Sequence, residues 1–141
     1  MDTRYQGNPV PVTVHGLARA KVGDGKSITV TVPQNTTVNA GEWALLDGFF
    51  GLAMQSAVTG AGETKDIVLT IEQAEYETDQ ISTSQAFAKG TAIYWNATTK
   101  KFTETAEGNR PVGRVSSGKD ANNVIWFLLG PQAKSQPEQG G

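Results

Sequence analysis

Apolar and polar residues alternate with a period of two along most of this chain, which predicts strands rather than helices. Val10, Val12 and Val14 alternate with Pro11 and Thr13. Pro9 and Pro11 have no N–H to give to a ladder, so this strand belongs at an edge or outside the main sheet. Ile28, Val30 and Val32 alternate with Thr29 and Thr31, and Pro33 stops the run. A polar connection over 35–41 leads to a short buried strand at 43–46. Asp47-Gly48 is a tight turn into 49–54, which predicts a hairpin. A Gly-rich turn over 58–65 precedes Ile67, Leu69 and Ile71, a strand with one apolar face.

The segment 72–89 fits two descriptions. Ile81, Ala86 and Phe87 suit a short helix capped by Ser82, Thr83 or Ser84, or equally loop and strand. Further strands are expected at 92–95, 101–105 and 112–115, with a turn over 118–123. Residues 124–129 (Val-Ile-Trp-Phe-Leu-Leu) are continuously apolar, which predicts a strand buried on both faces. Gly130-Pro131 ends it. Strands at spacings of roughly 8–12 residues with turn signals between them indicate an all-β fold, a single small β-barrel or β-sandwich. There is no internal repeat. The expected organisation is an N-terminal arm with its edge strand over 1–25, a β-domain over 26–130, and a C-terminal tail over 131–141. The tail has no apolar anchor beyond Ala133, so in isolation it is expected to be disordered.

Composition agrees with many short strands. The chain has 141 residues, 38% apolar and 18% charged, with 16 glycines, a one-domain length with too little Leu, Glu and Lys for long helices. A net charge of −2 and the lack of aromatics interleaved with Lys and Arg argue against nucleic acid. No apolar run approaches the ~20 residues of a membrane helix. Met1-Asp2-Thr3-Arg4-Tyr5 lacks the apolar core of a secretory signal, so a soluble protein made in a cytoplasm is expected. The chain has no cysteine, which removes disulfides and thiolate metal sites.

Candidate chemistry is sparse. Gly25-Lys26-Ser27 has the ending of a phosphate-binding loop, but the position where that motif needs its first Gly is Ala20, and a strand follows where a helix is required. A hairpin turn is the better reading. His15 is the sole histidine; without partners at ligand spacing it is expected to be a surface or contact residue. Glu72, Glu75, Glu77 and Asp79 form an acidic cluster, but the Ca²⁺-loop pattern is missing, which leaves a solvated strand end and loop. There is no Gly-x-Ser-x-Gly elbow. No catalytic, cofactor-binding or metal-ligating residue is predicted, and no enzyme activity. Trp43, Trp95 and Trp126 each sit in a predicted strand and are expected in the core, or half in core and half in an interface. Asn35 and Asn96 match glycosylation acceptors, discounted without a secretion signal.

One order of elements carries more. A strand over 28–32 runs into Asn39-Ala40-Gly41-Glu42-Trp43. Phe50-Gly51-Leu52-Ala53 follows, then a Gly62-Glu63 turn into 67–71. Gly90-Thr91-Ala92-Ile93-Tyr94-Trp95-Asn96 is next, then Lys101-Phe102-Thr103, Gly108-Asn109, Val112-Gly113 and the closing apolar strand. From about 26 to 130 this order and spacing resembles the phage capsid cement, or decoration, proteins. Residues 1–25, 72–88 and the tail after Gly130 depart from the pattern.

The resemblance implies a protein of the virion, on the outer surface of the capsid and made in the host bacterial cytoplasm. It implies a clamp where major capsid subunits meet on the expanded head. Its partners would be the major capsid protein and itself, as a homotrimer by analogy or a dimer at two-fold positions, with no cofactor, nucleic acid or membrane. Residues 1–22 and 131–141 are expected to order across a neighbour. Val10, Val12 and Val14 either add to a partner's sheet or complete the chain's own. The expected contact residues are Tyr5, Val10, Val12, Val14, His15 and Pro131. The alternative is a carbohydrate- or receptor-binding β-module of a virion, with Trp95 or Tyr94 exposed for stacking.

Overall fold

The computed structural model describes residues 20–133, and among them there is no helix. Eleven strands run in chain order: β1 (Ser27–Val32), β2 (Thr37–Val38), β3 (Trp43–Leu46), β4 (Phe49–Ala53), β5 (Ala57–Val58), β6 (Lys65–Thr70), β7 (Glu75–Thr78), β8 (Ala92–Asn96), β9 (Lys101–Thr103), β10 (Arg110–Ser117) and β11 (Ile125–Leu129). They form a four-stranded sheet in the order β1-β6-β4-β3, a five-stranded sheet in the order β7-β11-β10-β8-β9, and a two-stranded ribbon of β2 and β5. Every strand pair is antiparallel. The all-β class expected from the sequence is what the chain adopts, as curled sheets packed together rather than a closed barrel.

The β3–β4 hairpin joins two cores. Successive side chains of a strand point to opposite faces, so the hairpin serves both. Leu46 and Ala53 enter one core with Val30, Val32, Val38, Ala57, Ile67 and Leu69, inside the curl of the four-stranded sheet. Trp43 and Phe50 enter the other, against Ile93, Trp95, Phe102, Val115, Ile125 and Phe127 of the five-stranded sheet. Phe102 stands at the centre of that second core. Its ring centroid is 4.8 Å from Phe127, 5.4 Å from Trp95, 5.5 Å from Phe50 and 5.8 Å from Trp43. Edge-to-face and tilted rings at these distances add about 0.5–1.5 kcal/mol per pair beyond simple burial.

Two amide side chains stitch the sheets together. Gln80, between β7 and β8, accepts the Trp43 N–H (2.9 Å) and donates to the Trp43 carbonyl (3.1 Å). Gln132, just past β11, accepts the Phe50 N–H (2.9 Å) and donates to the Phe50 carbonyl (2.8 Å). Each carboxamide presents one acceptor and one donor to one residue's backbone, as a neighbouring strand would.

The segment 72–89 resolves into β7 and a loop; the helical alternative does not form. Side chains hold the loop instead. Gln85 accepts from Glu104 N–H (2.8 Å) and the Thr103 hydroxyl (3.1 Å), and Lys119 Nζ donates to the carbonyls of Thr83 (2.8 Å) and Gln85 (2.6 Å). Phe87 is fully buried at φ 49°, and its N–H donates to the Glu104 carboxylate (2.5 Å). A left-handed phenylalanine costs about 1–3 kcal/mol, and burial of the whole ring offsets it.

The apolar run 124–129 is corrected. Ile125, Phe127 and Leu129 are buried, but Trp126 is 49% and Leu128 52% exposed. β11 is central, with β7 on one side and β10 on the other. Its backbone is therefore paired on both edges while only one face of its sheet meets the core. The connection 35–41 and the turn 58–65 also contain more structure than expected, since Thr37–Val38 and Ala57–Val58 pair as β2 and β5.

Candidate interaction surface

The face of the five-stranded sheet turned away from the core is built from alternate residues of four strands. β11 contributes Trp126 and Leu128. On one side, Leu128 lies opposite Glu75 and Trp126 opposite Glu77, both on β7. On the other, Leu128 lies opposite Arg114 and Trp126 opposite Ser117 on β10, across an irregularity between Val115 and Ser117. An apolar stripe thus runs between an acidic strand and a basic residue. Glu75, Glu77 and Arg114 are exposed. The Ser116 hydroxyl reaches Glu75 (2.5 Å), and Arg114 donates to the Gly90 carbonyl (2.7 Å). Large exposed apolar side chains set side by side are uncommon on a monomer and mark contact surfaces.

Beside the stripe lies a groove of about 370 Å³, walled by Tyr94, Pro111, Arg114, Leu128 and Pro131 over Gly113. A Cβ on Gly113 would stand 2.2 Å from the Leu128 carbonyl oxygen, so glycine lets β10 and β11 approach and keeps the floor low. Pro131 is exposed, and it is the one expected contact residue within the described part of the chain. Tyr5, Val10, Val12, Val14 and His15 lie outside the described residues.

A buried cation fixes the chain where it leaves the groove. Arg110 is 5% exposed. It donates to the Gly48 carbonyl (2.6 Å), to Gln132 Oε1 (3.0 Å) and to the Gln132 carbonyl (3.5 Å). These acceptors are all neutral, and burial pulls the guanidinium pKa down. The Arg110–Gln132 contact ties Pro131 to the β3–β4 turn. Neither residue is marked locally in the sequence: Gln132 falls in a segment expected to lack an anchor, and its anchor is polar.

A second cavity, about 450 Å³, lies beside β3 and is lined by Trp43, Leu45, Gln80, Trp95, Lys100 and Lys101 among others. Trp95 is only 3% exposed and packs on Phe50 at 4.9 Å, so it has no face to offer a sugar. Tyr94, half-buried in the groove wall, keeps one. Glu72 and Glu75 of the acidic cluster go to separate partners. Glu72 lies 3.7 Å from Lys26, Glu75 takes the Ser116 hydroxyl, and no group of three or more metal-ligating side chains forms among the described residues. Tyr76 donates to the Glu72 carbonyl (2.7 Å); burial, then the Glu72 charge, raises its pKa.

A family model described as phage cement protein matches residues 22–129. The chain belongs to the phage cement protein family. The matched span holds all eleven strands and ends just short of Pro131 and Gln132. Searches of curated proteins and of solved structures returned no match. Membership gives the chain a cement role on a phage capsid and a place in the virion, and speaks for a structural rather than an enzymatic task.

Proposed function

We propose that this cement protein binds the outer surface of a phage head between neighbouring major capsid subunits and stabilises the expanded shell. Its partners on this reading are the major capsid protein and further copies of itself. The family match over 22–129 carries the reading. The groove between Tyr94 and Pro131 supports it, because an apolar, pre-formed notch on a rigid sheet is what a neighbouring chain can fill without paying for reordering. On this reading residues 1–22 and 131–141 order across adjacent subunits and add contact area there. Each contact is modest, and linking several through one oligomer multiplies them by effective concentration.

The test is to mix the purified protein with expanded heads of its own phage lacking it, and to measure co-sedimentation and stoichiometry. Saturable binding at a fixed ratio to the major capsid protein is expected, weakened by Tyr94→Ser in the groove. No binding by a folded protein would overturn the reading and favour a carbohydrate- or receptor-binding module using Tyr94.

A further inference from the structure

We propose that the stripe Trp126–Leu128 is where two copies of this chain meet face to face, about a two-fold axis parallel to β11. This goes beyond the capsid reading, and it selects a two-fold pairing over the three-fold one that family analogy suggests. The stripe needs a cover, with Trp126 49% and Leu128 52% exposed, and the charges beside it say which cover fits. Glu75 and Glu77 flank it on β7, and Arg114 flanks it on β10.

Two symmetric ways exist to lay this sheet along its own copy. With the axis across the strands, β7 would lie over β7 and set Glu75 and Glu77 against the same acids of the partner, which is unfavourable. With the axis along β11, the lateral order reverses while the position along the strand is kept. β7 of one copy then lies over β10 of the other. Glu75 faces Arg114 of the second copy, twice by symmetry, and Leu128 and Trp126 each meet their own image. Glu75 exchanges the Ser116 hydroxyl of its own chain for the guanidinium. Aligned packing of this kind is the ordinary geometry of two facing sheets.

Because β7 is the last strand of the sheet among the described residues, the overlap is three strands wide. That is at the small end of stable interfaces, so the dimer is weak and reversible in dilute solution. The overlap and the groove share Leu128 and Arg114, so pairing covers that wall of the groove, while Tyr94 on β8 lies beyond the overlap.

Sedimentation velocity over a concentration series tests this, with acrylamide quenching alongside. Trp43 and Trp95 are 4% and 3% exposed, so Trp126 supplies the quenchable signal of the described residues. A reversible monomer–dimer equilibrium is expected, with quenching falling as dimer forms. Trp126→Ser should leave a folded monomer, checked by near-UV dichroism from the two buried tryptophans. Glu75→Arg or Arg114→Glu alone should weaken pairing about tenfold, since each puts like charges together twice per dimer. The double exchange should recover most of it. A wild type that stays monomeric, a dimer indifferent to Trp126→Ser, or a double exchange no better than either single change would overturn the proposal. So would protection of Trp126 in the monomer that is lost on deleting 1–19, which would show the chain's own N-terminal segment on the stripe. Head binding is measured on the same variants. A monomeric wild type whose head binding is lost in Trp126→Ser assigns the stripe to the shell and leaves the capsid reading intact. A dimer that ignores heads does the reverse.

Discussion

Gln132 holds the backbone of Phe50 from 82 residues away in sequence, accepting its N–H at 2.9 Å and donating to its carbonyl at 2.8 Å. β4 needs this partner because its register with β6 covers only Leu52 and Ala53. Beyond them no strand among the described residues pairs with the outer side of Phe50, and the carboxamide takes that place. Gln132→Ala should therefore lower stability by about 2–3 kcal/mol, from three lost hydrogen bonds that leave a part-buried N–H and the guanidinium short of an acceptor. Urea unfolding measures it, and a loss under 0.5 kcal/mol would mean the contact is dispensable.

Arg110 offers a second test of the same joint. Its fork spans Gly48 O and Gln132 Oε1 at once, a geometry a single ammonium cannot reproduce. Arg110→Lys should cost about 2 kcal/mol or more despite keeping the charge, because one carbonyl loses its donor while the cation stays buried. Arg110→Lys combined with Gln132→Ala should cost less than the sum, as expected for residues in one network.

Much of this architecture is legible in the sequence, and what is hidden has physical causes. β1 and β6 are visible because apolar inward positions alternate with mostly polar outward ones, and β3 and β4 because they are short apolar runs on either side of Asp47-Gly48. β11 conceals its alternation because Trp126 and Leu128 face outward yet are as apolar as the core. β2 and β5 have two residues each, too few to show any period. The loop after β7 depends on Gln85, Glu104 and Lys119 meeting from distant segments, and nothing local marks Phe87 as left-handed. At the surface, Pro131 does border a groove, but Arg110 and Gln132, which place it there, are recognisable only in three dimensions.

Two glycines among the residues that carry the family resemblance have a steric reason to be glycine. A Cβ on Gly51 would stand 2.4 Å from the Thr70 carbonyl oxygen, and one on Gly113 2.2 Å from that of Leu128. Both obstacles are backbone of a neighbouring strand, which can yield only by moving a ladder. Gly51→Ala and Gly113→Ala should each cost about 3 kcal/mol or prevent folding. Gly23→Ala, with nothing within 4 Å of the added carbon, should stay within about 0.5 kcal/mol of wild type. Equal effects at all three sites in urea unfolding would refute the steric account.

Lys100 closes the β8–β9 hairpin at φ 57°, with its N–H on the Asn96 carbonyl at 2.8 Å. Asn96 Oδ1 accepts from Thr98 and Thr99 N–H at 2.9 and 3.1 Å, a side-chain turn that commits the backbone before Lys100 is reached. The left-handed penalty for a residue with a Cβ is about 1–2 kcal/mol, partly offset by the extra chain entropy glycine loses on folding. Lys100→Gly should raise stability by about 0.5–1 kcal/mol, seen as a higher urea midpoint with an unchanged slope. A lower midpoint would mean that the lysine side chain contributes more than its backbone costs.

Tyr76 should give the alkaline limb of stability a measurable slope. Burial, and then the Glu72 carboxylate, raise its pKa above the ordinary phenol value. The folded state therefore keeps its proton over a range where the unfolded chain, titrating near about 10, has lost it. Between the two values the native state binds more protons than the unfolded state, so stability falls as pH rises. Below the ordinary value the contribution is fully present. Urea unfolding from about pH 8 to pH 11 should show this decline in the wild type and a shallower one in Tyr76→Phe, which cannot ionise. Tyr76→Phe also loses the bond to the Glu72 carbonyl, so it should begin lower at pH 8 and converge on the wild type as pH rises. Parallel curves would show that Tyr76 titrates alike in both states.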